Sequence, residues 1–349
     1  MNARQLENRI DLLLNWLTGS QEGRKAMEGF DWPQGVALFA LHQLSKNPRH
    51  QALTDYLPDW FDGWLAKGLP GKNVNSMCPM LTLSFLYEKT GKKEYLAACL
   101  EWLDYAMNGL PRTMEGGFQH ITIDSENTAQ LWDDTLYMTV LFVARMGQLL
   151  RRDDCVQESV RQFLVHIKYL QDPVTGLFFH GWTFEGKHHY SGAFWGRGNA
   201  WYTAGLVDYL ELAVIPEGVR MFLVSTLERQ IQALAQLQAP NGMFHTLLDD
   251  PASYQESSAT AGFAYGILKA VRLGLIGSQY RLIGEIALKA VSQRVTSAGE
   301  VSEVSAGTCL RLTKEYYRAI PIRPCPYGQS MALLAFAEAM KMSQAESKA

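Results

Sequence analysis

LWDDTLYMTVLFVARMGQLLRRDDCVQESVRQFLVHIKYL, residues 131–170, is the stretch that decides the fold. Residues 131–150 are apolar almost all round. Residues 155–170 carry a single stripe (Val156, Val160, Phe163, Leu164, Ile167) opposite Glu158, Arg161, Gln162 and Lys168. Side chains three and four apart share a helix face, so the first segment reads as an enclosed helix and the second as one with a wet face. The same alternation runs along the chain. Inner-type helices start near Pro33, Asn75, Leu131, Gly196, Glu256 and Tyr327, and each except the last is followed by an amphipathic partner. An N-terminal helix over residues 6–17 completes the sixth pair. Lys46-Asn47-Pro48, Lys89-Thr90-Gly91-Lys92 and Ile215-Pro216-Glu217 are short turns of the kind that antiparallel helical neighbours need. No sustained period-2 segment interrupts them. The pattern predicts an all-α protein, an (α/α)6 barrel spanning residues 1–349 as one domain.

Composition narrows the function. With 47% hydrophobic residues the chain can bury one large core or two modest ones. A formal net charge of -3 lacks the basic excess needed to neutralise phosphates, so no nucleic-acid partner is expected. The five cysteines, Cys78, Cys99, Cys155, Cys309 and Cys325, are odd in number and never form a C-x-x-C pair, which suggests neither a disulfide framework nor a zinc site. With no apolar signal core at the N-terminus and no membrane-length apolar run, a cytoplasmic protein is expected. The sequence does not indicate an oligomeric state.

The loops that enter the inner helices carry a second repeat: Gly116-Gly117-Phe118-Gln119-His120, Gly176-Leu177-Phe178-Phe179-His180 and Gly242-Met243-Phe244-His245. In a closed ring these loops gather at one rim, so three aromatic-histidine elements are expected to converge there. The structural alternative is a repeated turn, with glycine bending the chain and phenylalanine plugging the barrel.

Asp133 and Asp134 stand at the head of an otherwise apolar inner helix. Successive helical side chains diverge by about 100°, so the two cannot share an environment, and Asp133 is expected to cap the helix. For Asp134 two effects compete. A helix N-terminus favours the anion by typically ~0.3–1 kcal/mol, whereas desolvation beside Trp132 can raise a carboxyl pKa by up to ~3–5 units. Desolvation is expected to win, leaving a carboxylic acid suited to general-acid catalysis on a sugar. In Phe194-Trp195-Gly196-Arg197-Gly198-Asn199-Ala200-Trp201-Tyr202, indole faces can stack on sugars, a guanidinium can grip a carboxylate, and the glycines permit close approach. Arg197 bridging loop carbonyls between two structural tryptophans is the alternative. His180-Gly181-Trp182, Glu256-Ser257-Ser258 and Tyr327-Gly328-Gln329 add polar groups at the same rim. His188-His189 lacks metal-ligand spacing, and no metal is expected.

These motifs resemble the unsaturated glycuronyl hydrolases, most closely the unsaturated rhamnogalacturonyl hydrolases of glycoside hydrolase family 105. The resemblance runs from Trp32 to Ala339. It rests on Asn73-Val74-Asn75, Pro111-Arg112-Thr113, Glu115-Gly116-Gly117-Phe118-Gln119-His120, Gln130-Leu131-Trp132-Asp133-Asp134-Thr135-Leu136-Tyr137-Met138, His180-Gly181-Trp182 and Trp195-Gly196-Arg197-Gly198-Asn199-Ala200-Trp201. It implies an (α/α)6 barrel that needs no cofactor and takes a small oligosaccharide. The implied reaction hydrates the C4=C5 bond of a 4,5-unsaturated uronic acid at the non-reducing end of a lyase product. By the same resemblance Asp134 is the general acid and base. His120, His180, Trp195, Arg197 and Trp201 line the sugar site, and Trp132, Asn75 and Trp32 complete the expected substrate-binding set. The glucuronyl-cleaving relatives have an aspartate where this chain has Asn73 and Asn75, which favours a pectin-type substrate over a glycosaminoglycan-type one. Two further readings compete: a sugar epimerase working through its histidines, and a non-catalytic carbohydrate-binding barrel.

Overall fold

A computed structural model describes residues 1–346; residues 347–349, the end of the expected domain, lie outside the described residues. Six inner helices occupy Trp32–Ser45, Cys78–Thr90, a π turn at Leu136–Val140 continuing as Leu141–Leu150, Gly196–Leu212, Ser257–Arg272 and Pro326–Glu346. Each packs on the next, and the sixth returns to the first, closing a ring. Their partners are Leu53–Lys67, Lys93–Asp104, Asp153–Leu170, Glu217–Leu237, Arg281–Ser292 and, for the sixth, the N-terminal helix Ala3–Gly19. The fold is the (α/α)6 barrel that the alternation of helix types predicts.

Burial explains the alternation. In the fourth inner helix every residue from Gly196 to Leu210 is buried, because helices pack on it from several sides. Outer helices bury one face. In Asp153–Leu170 that face is Cys155, Ser159, Gln162, Phe163, His166, Ile167 and Leu170, while Leu164 is exposed, so the face is rotated from the apolar stripe read in the sequence. The reason is specific polar contacts: Gln162 accepts from the Phe118 N–H at 2.7 Å and donates to the Gly116 carbonyl at 2.9 Å, and Ser159 meets the Tyr209 hydroxyl at 3.1 Å.

The start of the third inner helix departs from expectation. Residues 130–132 form a short strand antiparallel to residues 181–183, with Leu131 opposite Trp182. Helix begins only at Asp134 and passes two residues later into the π turn, a feature common at functional sites. The second inner helix likewise begins at Cys78 rather than near Asn75, after a turn organised by Asn73, whose Oδ1 accepts from the Asn75 and Ser76 N–H groups at 2.9 and 3.0 Å.

The Gly-x-Phe loops share one construction. Gly116, Gly176 and Gly242 all have positive φ (79°, 79° and 86°), and a Cβ on them would strike Arg161, Arg229 or Ile286 of an outer helix within 2.7 Å. Phe118, Phe178 and Phe244 are fully enclosed plugs. The repeat is therefore structural in its glycine and phenylalanine positions, and its histidines hang from a rigid turn.

Candidate active site

Because inner and outer helices alternate, all six inner N-termini open on one rim, and the residues at their heads form a connected wall. His120 stacks parallel on Trp132 with ring centroids 4.3 Å apart, and His180 meets the same indole edge-on at 5.3 Å. His180 lies 4.3 Å from Trp195, and the Arg197 guanidinium is held between Trp195 and Tyr327. Tyr327 touches Trp32, which meets Trp201 at 5.9 Å. The structure thus gathers Trp132, His120, His180, Trp195, Arg197, Trp201 and Trp32 into one mouth. Asn75, half-buried, lies in the turn that precedes the second inner helix, and Asn73 is committed to organising that turn. Two loop histidines converge, not three. The Nδ1 of His245 bonds instead to the Ser253 carbonyl at 2.6 Å, because that loop pairs with residues 255–256.

Asp134 stands two residues after Trp132, at the head of the third inner helix. Its Oδ2 lies 3.5 Å from His180 Nε2, and 15% of its side chain remains open. The other ring nitrogen of His180, Nδ1, is 2.7 Å from the Tyr317 hydroxyl. With Nε2–H directed at a carboxylate, Nδ1 accepts from Tyr317, which fixes the tautomer. Thr135 holds His120 in the same way, with Oγ1 2.8 Å from Nδ1. Burial keeps both imidazoles neutral: it pulls His120 down to about 4 and also lowers His180.

The expected sorting of the two aspartates is reversed. Burial raises Asp134, but the pull of His180 Nε2, 3.5 Å away, together with that of His120, outweighs it, so its carboxyl lies below the usual range. Asp133 is fully enclosed and caps nothing. Its N–H donates to the His180 carbonyl at 3.1 Å, and its two oxygens find no donor in the surrounding protein. Desolvation and the neighbouring Asp134 push it well above the carboxylate range. Desolvation does win at this doublet, but on the other residue. Asp133, Asp134 and His180 also present ligand atoms within 4.8 Å of one another, the one such group among the described residues that could hold a cation.

Arg197 does not offer its fork to a ligand. Nη1 donates to the Ser305 carbonyl at 2.9 Å and Oγ at 2.5 Å, and Nη2 to the Ala306 carbonyl at 2.8 Å and Thr308 Oγ1 at 3.0 Å. The guanidinium fastens the 305–308 loop across the mouth. Glu256 is likewise occupied, capping the fifth inner helix through the Ser258 and Ala259 N–H groups at 2.8 and 2.6 Å. The flanking glycines admit protein rather than ligand: a Cβ at Gly198 would stand 2.1 Å from Asp133 Oδ2, and one at Gly196 2.7 Å from the His245 carbonyl. Trp195 and Trp201, each 1% exposed, have no free face and act as supports; Trp32 keeps an open one. Sequence reasoning missed Tyr317 and the 305–308 loop, which reach the site from more than 100 residues away and leave no local signal.

A barrel of six helical hairpins with a histidine-held acid beneath an aromatic wall defines a glycoside hydrolase. The chain belongs to Glycosyl Hydrolase Family 88, whose model matches residues 13–343. It is 35% identical over 315 residues to the unsaturated rhamnogalacturonyl hydrolase YesR of Bacillus subtilis (strain 168), covering 89% of this chain and 90% of that protein. A crystal structure described as a possible member of GH105 family, from Klebsiella pneumoniae, superposes with a TM-score of 0.94 at 41% identity, over 98% of this chain and 94% of that one. The unsaturated glucuronyl hydrolase of Bacillus sp. GL1, at 14% identity and a TM-score of 0.73 over 96% of each chain, shares the fold.

Proposed function

We propose that this hydrolase removes a 4,5-unsaturated uronic acid from the non-reducing end of rhamnogalacturonan oligosaccharides by hydrating the C4=C5 bond. The observation that carries this reading is the asymmetry of the aspartate doublet: Asp134 is open to the mouth and Asp133 is closed off from it. Ordinary glycosidases flank the anomeric carbon with two carboxyls that both face the sugar. Hydration needs only one that faces the sugar. Asp134 delivers a proton to C4, positive charge develops at C5 beside the ring oxygen, and Asp134 as carboxylate then takes a proton from the water that attacks C5. The resulting hemiketal opens and the aglycone leaves.

Trp132, Asn75 and Trp32 face the sugar in this reading, while the fully buried His120, His180, Trp195, Trp201 and Arg197 hold them and Asp134 in place. Six helix N-termini around the mouth favour an anionic ligand such as a uronate. The activity named for the Bacillus subtilis relative supports a rhamnogalacturonyl rather than a glucuronyl substrate, and so a place in pectin breakdown. The barrel serves as one catalytic domain. All five cysteines are free thiols, four of them buried, and no described helix is long and apolar enough to cross a membrane. Both features support a cytoplasmic site of action.

The test is loss of the conjugated ultraviolet absorbance from unsaturated rhamnogalacturonyl and unsaturated glucuronyl disaccharides side by side, run in deuterated water. Hydration places one solvent deuterium at C4 of the released keto sugar. Product without that label would make the enzyme an ordinary glycosidase, and consumption of neither sugar would reject the substrate class.

A further inference from the structure

We infer that Asp133 is the proton-holding partner of Asp134: the two carboxyls share one proton, and Asp133 supplies it to Asp134 for each turnover. The inference rests on the hydration reading above. Asp133 is enclosed on every side, both its oxygens lack donors in the surrounding protein, and its Oδ2 lies against the Cα of Gly198. The two carboxyls come within 4.8 Å of each other, and carboxyls so close do not both ionise in a dry site. One proton therefore stays with the pair.

The groups facing the pair decide which carboxyl holds it. Asp134 has His180 beside it and His120 nearby. Asp133 has Asp134, the Tyr317 hydroxyl and Arg197, whose terminal nitrogens are committed to the 305–308 loop. The proton thus rests on Asp133, and Asp134, the carboxyl that reaches the mouth, is the resting anion. Charge development on the bound sugar draws the proton through Asp134 to C4 as the C4=C5 π bond breaks. When water forms the C5–O bond, its proton returns through Asp134 to Asp133. The pair ends as it began, and the sugar has gained one water.

Asp133→Asn tests this. The amide keeps size and shape but has no acid proton, so it holds Asp134 as a carboxylate. Expected is a fall in kcat at pH 7 of ~10²-fold or more, with KM within about twofold and partial recovery at acid pH as Asp134 itself protonates. A loss that is equal at every pH, or no loss, would overturn the proposal. Infrared difference spectroscopy gives a readout independent of turnover: a neutral carboxylic acid C=O band in the resting enzyme, absent in Asp133→Asn and retained in Asp134→Asn. Absence of that band from the wild type, or loss of activity on treatment with a chelator, would mean that the doublet holds a cation instead. Should the enzyme consume no unsaturated sugar, the band alone still decides whether the carboxyls share a proton.

Discussion

The two ends of the barrel treat buried charge in opposite ways. At the far end, where the inner helices finish, Lys269 lies 2.5 Å from Asp208 and 2.6 Å from Glu211, Tyr265 donates to Asp208 at 2.6 Å, and Arg272 pairs with Glu338. Cations also suit the negative ends of six helices. At the mouth a fully enclosed carboxyl has no cation, and the one guanidinium close by serves a loop. The far end obeys the rule that buried charges are paired, and the mouth breaks it. Chemistry is where the rule is broken.

Four perturbations would sharpen or break that contrast. The largest effect belongs to Asp134→Asn, which should keep the circular dichroism of the wild type and lower turnover by the ~10²–10⁴-fold that general acid–base catalysis supplies. Near-normal rates in the absorbance assay would move the chemistry elsewhere in the mouth. Lys269→Met should do the reverse, leaving Asp208 buried without its partner at a cost of about 3–5 kcal/mol in urea unfolding, with kcat of the folded fraction unchanged. A catalytic defect in that variant would couple the two ends.

Arg197→Ala should cost about 1.5–3 kcal/mol for each lost charged hydrogen bond that leaves a carbonyl unpaired, and should speed amide hydrogen exchange in residues 304–308. Arg197→Lys should not restore protection, since one ammonium cannot span both carbonyls. If affinity for uronates alone fell while the loop stayed protected, Arg197 would be gripping substrate after all.

The most gradual effect is expected from pH. His120 and His166 are held down to about 4 and His42 to about 3, each below its unfolded value near 6.5, chiefly by burial. The unfolded chain therefore binds more protons below pH 6.5, so stability is full above that value and declines as pH falls toward 4. A melting temperature flat between pH 6.5 and 4 would contradict this.

How much of this the sequence disclosed depends on distance along the chain. The hairpins were legible because enclosed and half-wet helices differ in their own residues, as residues 131–150 and 155–170 do. The strand at 130–132 was not, since its partner lies some fifty residues away and an apolar run reads equally well as helix. Helical geometry indicated that Asp133 and Asp134 would part company. Which one would be sealed depended on Gly198 of the next inner helix. Arg197 looked free for a ligand because its true partners, Ser305 and Ala306, come from more than 100 positions later.

The pairing of the N-terminal helix Ala3–Gly19 with the sixth inner helix, beside which Arg9 also donates to Ser292 of the outer helix Arg281–Ser292 at 3.1 Å, governs when the site is born. During synthesis the Ala3–Gly19 helix has to wait for the sixth inner helix, and the ring stays a gapped horseshoe until residues beyond 326 arrive. Until then water reaches the aspartate doublet from the side, and Arg197 has no loop to hold until residues 305–308 have emerged. The mouth acquires its dry, proton-sharing character in a single late closure. New termini cut into an exposed turn such as 46–48, with the native ends joined, should reverse that order and deliver the clasp first.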